Sequence, residues 1–333
     1  MYFGMEPLII KWLRFNMNRK NDIKTLTKNN HGLGAWIKKP FDFISHWRSL
    51  PAYELISYIL VFASIPLLSH GMTSFNQQDI NVIILTILSL YSGFFAALIW
   101  NDITDEEIDK IVHPDRPIPS NMIHPRKLFS IALFFSIITF IFSFLVNLKF
   151  FIAVILLAFF VAVHNKYLKK KITFPAYSEI FTPIQWSMLP ILGYLSFNTL
   201  DRMTMILLVL FTYFSISSHD IIDGIHDYEG DKKNGVYTYA NSFGIQNAFI
   251  ISRIWFIVTG VLGVLIFLFS SLSYVFLICF ILLWFYLFFH YMKLTSKDIS
   301  KGEINQKISR ISYNYFLFTF SLIFIDIIIQ LYT

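Results

Sequence analysis

Apolar residues run through this chain in long blocks, each near the roughly 20 residues an α-helix needs to cross a bilayer. Nine blocks stand between stretches of polar punctuation: 53–70, 80–100, 127–147, 149–165, 174–196, 202–219, 248–270, 272–293 and 313–332. Only Asn147 and Lys149 part the third from the fourth, and only Ser270 to Ser273 part the seventh from the eighth. Each of those pairs is expected to form a tight helical hairpin. The first 45 residues are polar and mixed, too poor in continuous apolar sequence for a signal peptide. They read as a cytosolic leader (1–45) ahead of a single membrane domain (46–333).

Composition supports a bilayer as the solvent. Of 333 residues, 56% are hydrophobic and 14% charged, against roughly 25% charged in ordinary soluble domains. A water-soluble fold could not cover that much apolar surface. The net charge of +6 would suit a nucleic-acid partner, but the basic residues sit in short segments between apolar blocks rather than on one soluble face, so no nucleic acid is expected. Cys279 is a lone cysteine inside an apolar run, which excludes an intrachain disulfide.

Lysine and arginine set the expected orientation. Basic residues crowd the leader, 101–127, 166–171, 232–253 and 293–310, while the intervening loops carry one or none. The alternation holds over all nine blocks. It places the N-terminus in the cytosol, the C-terminus on the far side, and both strongly acidic segments on the cytosolic face.

Those acidic segments carry the candidate chemistry. The first, at the end of the second block, holds Asn101, Asp102, Asp105 and Asp109. On a helix, Asn101, Asp105 and Asp109 form one stripe with Asp102 beside it. The second, at the end of the sixth block, holds Asp220, Asp223, Asp227 and Asp231, spaced three, four and four apart on one face. Carboxylates stacked so closely beside a bilayer repel one another, so a positive partner belongs with them. Hard oxygen donors without a His or Cys set favour Mg²⁺ over zinc, and Mg²⁺ commonly bridges carboxylates to substrate phosphates. Arg116, in a proline-rich turn after the first stripe, and the run from Tyr167 to Lys171 are candidates for phosphate oxygens. The bland reading is a pair of solvated helix ends. A selectivity site in a divalent-cation transporter is a further alternative, but it predicts acids at mid-membrane along a path, and Asp326 is the one acid deep in a late block.

In this arrangement the chain resembles the UbiA superfamily of intramembrane prenyltransferases. The family's Asn-Asp-x-x-Asp-x-x-x-Asp motif is matched by Asn101, Asp102, Asp105 and Asp109, and its Arg-Pro-Ile-Pro-Ser stretch by Arg116 to Ser120. Its second acidic motif is matched by Asp227, Glu229, Gly230 and Asp231, with Asp220 upstream, and its Tyr-x-x-x-Lys element by Tyr167 and Lys171. The resemblance implies an all-α polytopic membrane protein, nine transmembrane helices around a central cavity with cytosolic cap helices. It implies Asn101, Asp102, Asp105, Asp109, Asp220, Asp227 and Asp231 as Mg²⁺ ligands, with Asp105, Asp109, Asp227 and Asp231 as the catalytic core. Arg116, Tyr167 and Lys171 would bind diphosphate. The implied reaction moves a polyprenyl group from its allylic diphosphate to an aromatic quinone-precursor or lipid acceptor within the membrane. An intramembrane terpene cyclase of the same superfamily would carry the same motifs. The family's second-motif variants leave the acceptor, and the residues leave the general base, unassigned.

Overall fold

The computed structural model describes residues 52–71, 75–112, 114, 116–293 and 302–332. The leader 1–45 and two motif-flanking residues, Arg48 and Asp115, lie outside the described residues. Every regular element among the described residues is helical. In chain order, leaving aside the short helical run 164–171 between the fifth and sixth, these are α1 (Ala52–His70), α2 (Gln77–Thr104), α3 (Glu106–Val112), α4 (Pro125–Val146), α5 (Leu148–Val163), α6 (Tyr177–Phe197), α7 (Arg202–His226), α8 (Tyr228–Lys233), α9 (Tyr239–Phe243), α10 (Ile245–Phe269), α11 (Tyr274–Met292) and α12 (Gly302–Tyr332).

A helix stands at each of the nine places where an apolar block was expected. Eight of them, α1, α2, α4, α5, α7, α10, α11 and α12, are long and apolar enough to cross a membrane. The exception is α6, which carries Glu179, Gln185 and two internal prolines, Pro183 and Pro190. It still runs the length of the bundle. Near its start Glu179 lies against Gly224 at the end of α7, and at its far end the Leu195 and Ser196 carbonyls accept bonds of 2.9 and 3.4 Å from Asn147 Nδ2. Packed on α1, α5 and α7, α6 is shielded by protein, so its polar residues need not meet lipid.

Neighbouring helices follow the order α1, α2, α4, α5, α6, α7, α10, α11, α12 and back to α1, which closes a ring. Contacts between α7 and α12 and between α1 and α6 cross it. Outward faces stay apolar, as at Leu156 and Phe159 of α5. Small residues let helices approach closely, as membrane packing requires. A methyl group on Gly263 of α10 would come within 1.9 Å of the Phe280 ring of α11.

Both expected hairpins form, and each has a capped corner. Asn147 accepts the Phe150 N–H at 2.9 Å and begins α5. At the second corner Ser273 accepts the Val275 N–H, while Asp326 of α12 accepts the backbone N–H groups of Ser273 at 2.9 Å and Phe276 at 3.1 Å, and the Ser273 hydroxyl. The acid deep in the last apolar block is therefore a helix cap. Short helices occupy the connections after α2 and α7, and α3 packs against α8. That contact joins the two acidic segments, more than a hundred residues apart in sequence.

Candidate active site

The first acidic segment straddles a helix break. α2 ends at Thr104, Asp105 caps it, and α3 starts at Glu106. The backbone bonds from Asp105 N–H to the Asn101 carbonyl and from Asp109 N–H to the Asp105 carbonyl, each 2.8 Å, keep the stripe together through the bend. Asp102, Asp105 and Asp109 are all buried, at 2, 5 and 2% exposure. Glu106 forms a pair with Lys110, and Glu107 is exposed.

In the second segment Asp227 caps α7, and Asp231 N–H bonds the Asp227 carbonyl at 3.0 Å one turn later. Asp231 is buried, and burial, with the charges of Asp227 and Asp105 outweighing the pull of Lys169, pushes its carboxyl up to about 7. Asp227 pairs with His226 at 2.8 Å and Asp223 with His219 at 3.4 Å. Asp220 has a buried carboxylate oxygen, Oδ2, without a hydrogen-bond partner among the described residues.

Two cations stand against the first segment and within the field of the second. Arg116 Nη1 sits 2.6 Å from Asp109 Oδ1 and 3.6 Å from Asp102 Oδ1. Burial works against its charge, but Asp109, then Asp102 and Asp227, outweigh it and the net shift is upward. Lys169 Nζ lies 3.0 Å from Asp105 Oδ2. Its charge is likewise opposed by burial and held, with a net upward shift, by Asp105, Asp231 and Asp227. Each cation therefore feels acids of both segments. A phosphate arriving between them would meet guanidinium and ammonium donors already desolvated and oriented.

Arg116 thus lies against the first acidic stripe. Tyr167 and Lys171 do not join the acids through any contact among the described residues. Both are exposed, with Lys171 Nζ 5.9 Å from the centre of the Tyr167 ring. The lysine brought to the acids is Lys169, from the same basic run. The reason is local: His164–Leu168 form a turn with i→i+5 bonding, in which the Lys169 N–H reaches the His164 carbonyl. The wider turn shifts the register of the residues after it. Sequence reading also passed over Glu179, 5% exposed on the first turn of α6, whose carboxyl group lies against Gly224 in the second segment and accepts the Tyr239 N–H. An isolated acid inside an apolar block was the available signal.

The donor set suits Mg²⁺. It is all oxygen, and Asp105 Oδ1 and Asp220 Oδ2 are buried and unpartnered among the described residues. Among those residues no three Asp, Glu, His or Cys groups converge on one point. The fit rests on donor chemistry.

The model of the UbiA prenyltransferase family matches residues 58–311. The chain is 31% identical over 230 residues to the digeranylgeranylglyceryl phosphate synthase of Saccharolobus solfataricus, an alignment covering 67% of this chain and 80% of that protein. Its fold is similar to that of a UbiA homolog from Aeropyrum pernix K1, with a TM-score of 0.61 at 17% identity over 80% of this chain and 98% of that one. It is also similar to a UbiA homolog from Archaeoglobus fulgidus bound to GPP and Mg²⁺, with a TM-score of 0.55 at 16% identity over 84% of this chain and 99% of that one.

Proposed function

The chain belongs to the UbiA prenyltransferase family, and from that membership we propose that it is a Mg²⁺-dependent enzyme moving a polyprenyl group from an allylic diphosphate to a glycerol-phosphate-type lipid acceptor. It is a multi-pass membrane prenyltransferase. The observation that carries the finer reading is Lys169, 3.0 Å from Asp105 and within the field of Asp227 and Asp231. A largely buried cation shared by two acidic segments is an arrangement suited to a multiply charged anion and its counter-ions.

Mg²⁺ would be held by Asn101, Asp102, Asp105 and Asp109 on one side and by Asp220, Asp227 and Asp231 on the other. When bound, it would neutralise charge on the departing diphosphate. Arg116 and Lys169 contribute fixed positive charge for the same leaving group. The surrounding apolar helices keep water from the allylic carbon while the acceptor approaches. The Saccharolobus relative's name supports a lipid acceptor, whereas the aromatic acceptor draws no support from it. The basic-residue pattern supports a cytosolic N-terminus and site mouth, with residues 46–333 as the prenyltransferase domain behind a 1–45 leader.

The test is label transfer from geranylgeranyl diphosphate by the purified chain in liposomes, with Mg²⁺ or EDTA and a panel of glycerol-phosphate lipids and aromatic acids. Mg²⁺-dependent label in a lipid product supports the proposal. Label confined to a cyclised hydrocarbon, or to an aromatic product, would overturn it.

A further inference from the structure

Glu179 is the side chain that touches both halves of the second acidic segment's support. Its Oε2 accepts the backbone N–H of Tyr239, the first residue of α9. Its Oε1 is pressed against α7 so closely that a Cβ on Gly224 would lie 1.7 Å away. Gly224 stands between Asp223 and Asp227. The turn that Glu179 holds is in turn bonded to the end of the motif, because the Val236 N–H donates to the Asp231 carbonyl at 2.9 Å. Two further bonds run parallel to the Glu179 contact: Ser178 N–H to the Tyr237 carbonyl, 3.1 Å, and Ala176 N–H to Ser242 Oγ, 2.9 Å. These two fasten the 236–242 turn to the start of α6 but do not reach α7. Glu179 alone among the three continues to the helix that carries Asp220, Asp223 and Asp227.

The chemistry of the contact explains the residue type. The Tyr239 N–H is one of the donors that a helix start leaves without an intrahelical partner, and a carboxyl oxygen suits it. The missing Cβ at Gly224 is what lets the carboxyl group reach it while lying flat on α7. Oε1 has no hydrogen-bond partner among the described residues and is filled in by the α7 backbone, so the group is walled off from a substrate. Its place is structural to the site rather than in it.

We propose that Glu179 is a positioning residue: seated on Gly224 and bonded to Tyr239, it fixes the separation of Asp231 from Asp223 and Asp227, and so sets the protein's affinity for a divalent cation. The proposal rests on the cation-dependent reading of the site. It makes Gly224 and Glu179 a matched pair, in which either enlarging the first or shortening the second moves the same ligands.

Three variants of the full chain in liposomes test it: Glu179→Gln, Glu179→Leu and Gly224→Ala. Mn²⁺ binding is followed by electron paramagnetic resonance, and backbone exchange of residues 228–243 by deuterium uptake. Glu179→Leu and Gly224→Ala are expected to weaken Mn²⁺ binding on the order of 10–100-fold, the usual effect of losing a group that orients metal ligands, and to speed exchange in 228–243. Glu179→Gln should rescue both readouts, since its amide oxygen still accepts the Tyr239 N–H. Equal loss in the Gln and Leu variants would mean that the charge matters rather than the brace, and would overturn the proposal. So would unchanged Mn²⁺ binding in Glu179→Leu despite faster exchange. A wild-type chain that binds no Mn²⁺ at all would remove the cation reading itself. The exchange data would then show by themselves whether Glu179 braces the turn.

Discussion

Asp105 and Asp227 occupy equivalent positions in the two acidic segments. Each caps a long helix, each accepts a backbone bond from the aspartate four residues later, and each is followed at once by a short helix. The break in each case turns the next carboxylate, Asp109 or Asp231, inward without losing the i,i+4 ladder. Because α3 and α8 then pack on one another, the two bends are what bring acids from distant parts of the chain around Arg116 and Lys169.

Lys169 and Lys171 should differ sharply when replaced. Lys169→Met removes the ammonium 3.0 Å from Asp105 and is expected to lower kcat by roughly 10²–10³, as for other preorganised charges at a leaving group. Lys171→Met, at an exposed site, should stay within about threefold of wild type, as surface changes usually do. Steady-state transfer assays on both variants decide between them, and the reverse ranking would restore Lys171 as the diphosphate ligand.

Asp231 predicts a pH dependence with a definite sign. Its carboxyl is raised from 3.8 to about 7, so the folded chain holds a proton that the unfolded chain has lost. Without divalent cations, this group's contribution to stability is fully present below pH 3.8 and is lost as the pH climbs through about 7. Cation binding needs the ionised form and should strengthen over the same climb. Thermal melts and Mn²⁺ titrations from pH 5.5 to 8.5 would show the two opposite trends, and Asp231→Asn should flatten both.

Arg116→Ala removes the cation lying 2.6 Å from Asp109 and 3.6 Å from Asp102. With those carboxylates buried, the expected loss is roughly 3 kcal/mol of stability. Added Mg²⁺ should return part of it by supplying positive charge at the same acids. A melting temperature that falls but does not respond to Mg²⁺ would place the cation elsewhere.

Asp326→Ala addresses the fold rather than the chemistry. It removes the acceptor for the Ser273 and Phe276 N–H groups and should cost about 2 kcal/mol, the upper range for a lost helix cap. Activity per folded molecule should remain at the wild-type level, as measured by transfer assays normalised to the monodisperse fraction.

Much of this was legible in the sequence, because lipid imposes simple rules. Block length marked the helices, and the spacing of Asn101, Asp105 and Asp109 placed them on one stripe even though the helix bends at Asp105. Legibility failed where tertiary context overrode the local pattern. α6 was counted as lipid-compatible when its interior position permits Glu179 and two prolines. The choice of Lys169 over Lys171 depends on an i→i+5 turn that periodicity at 3.6 residues cannot register. The contact between Glu179 and Gly224 joins residues 45 positions apart, and no local motif announces it.

The cap that Asp326 places on α11 bears on how this protein meets bilayers of different thickness. α11 has 19 residues, which spans about 28 Å at 1.5 Å per residue, slightly short of a hydrocarbon layer of about 30 Å. A helix end that depended on water for its exposed N–H groups would be pinned at headgroup level. Here the Val275 and Phe276 N–H groups are answered by Ser273 and Asp326, and Gln330 donates to Asp326 at 2.7 Å. The corner is therefore free to lie beneath the headgroups, and hydrophobic mismatch on that side can be absorbed by depth rather than by tilting the helices that hold the acids.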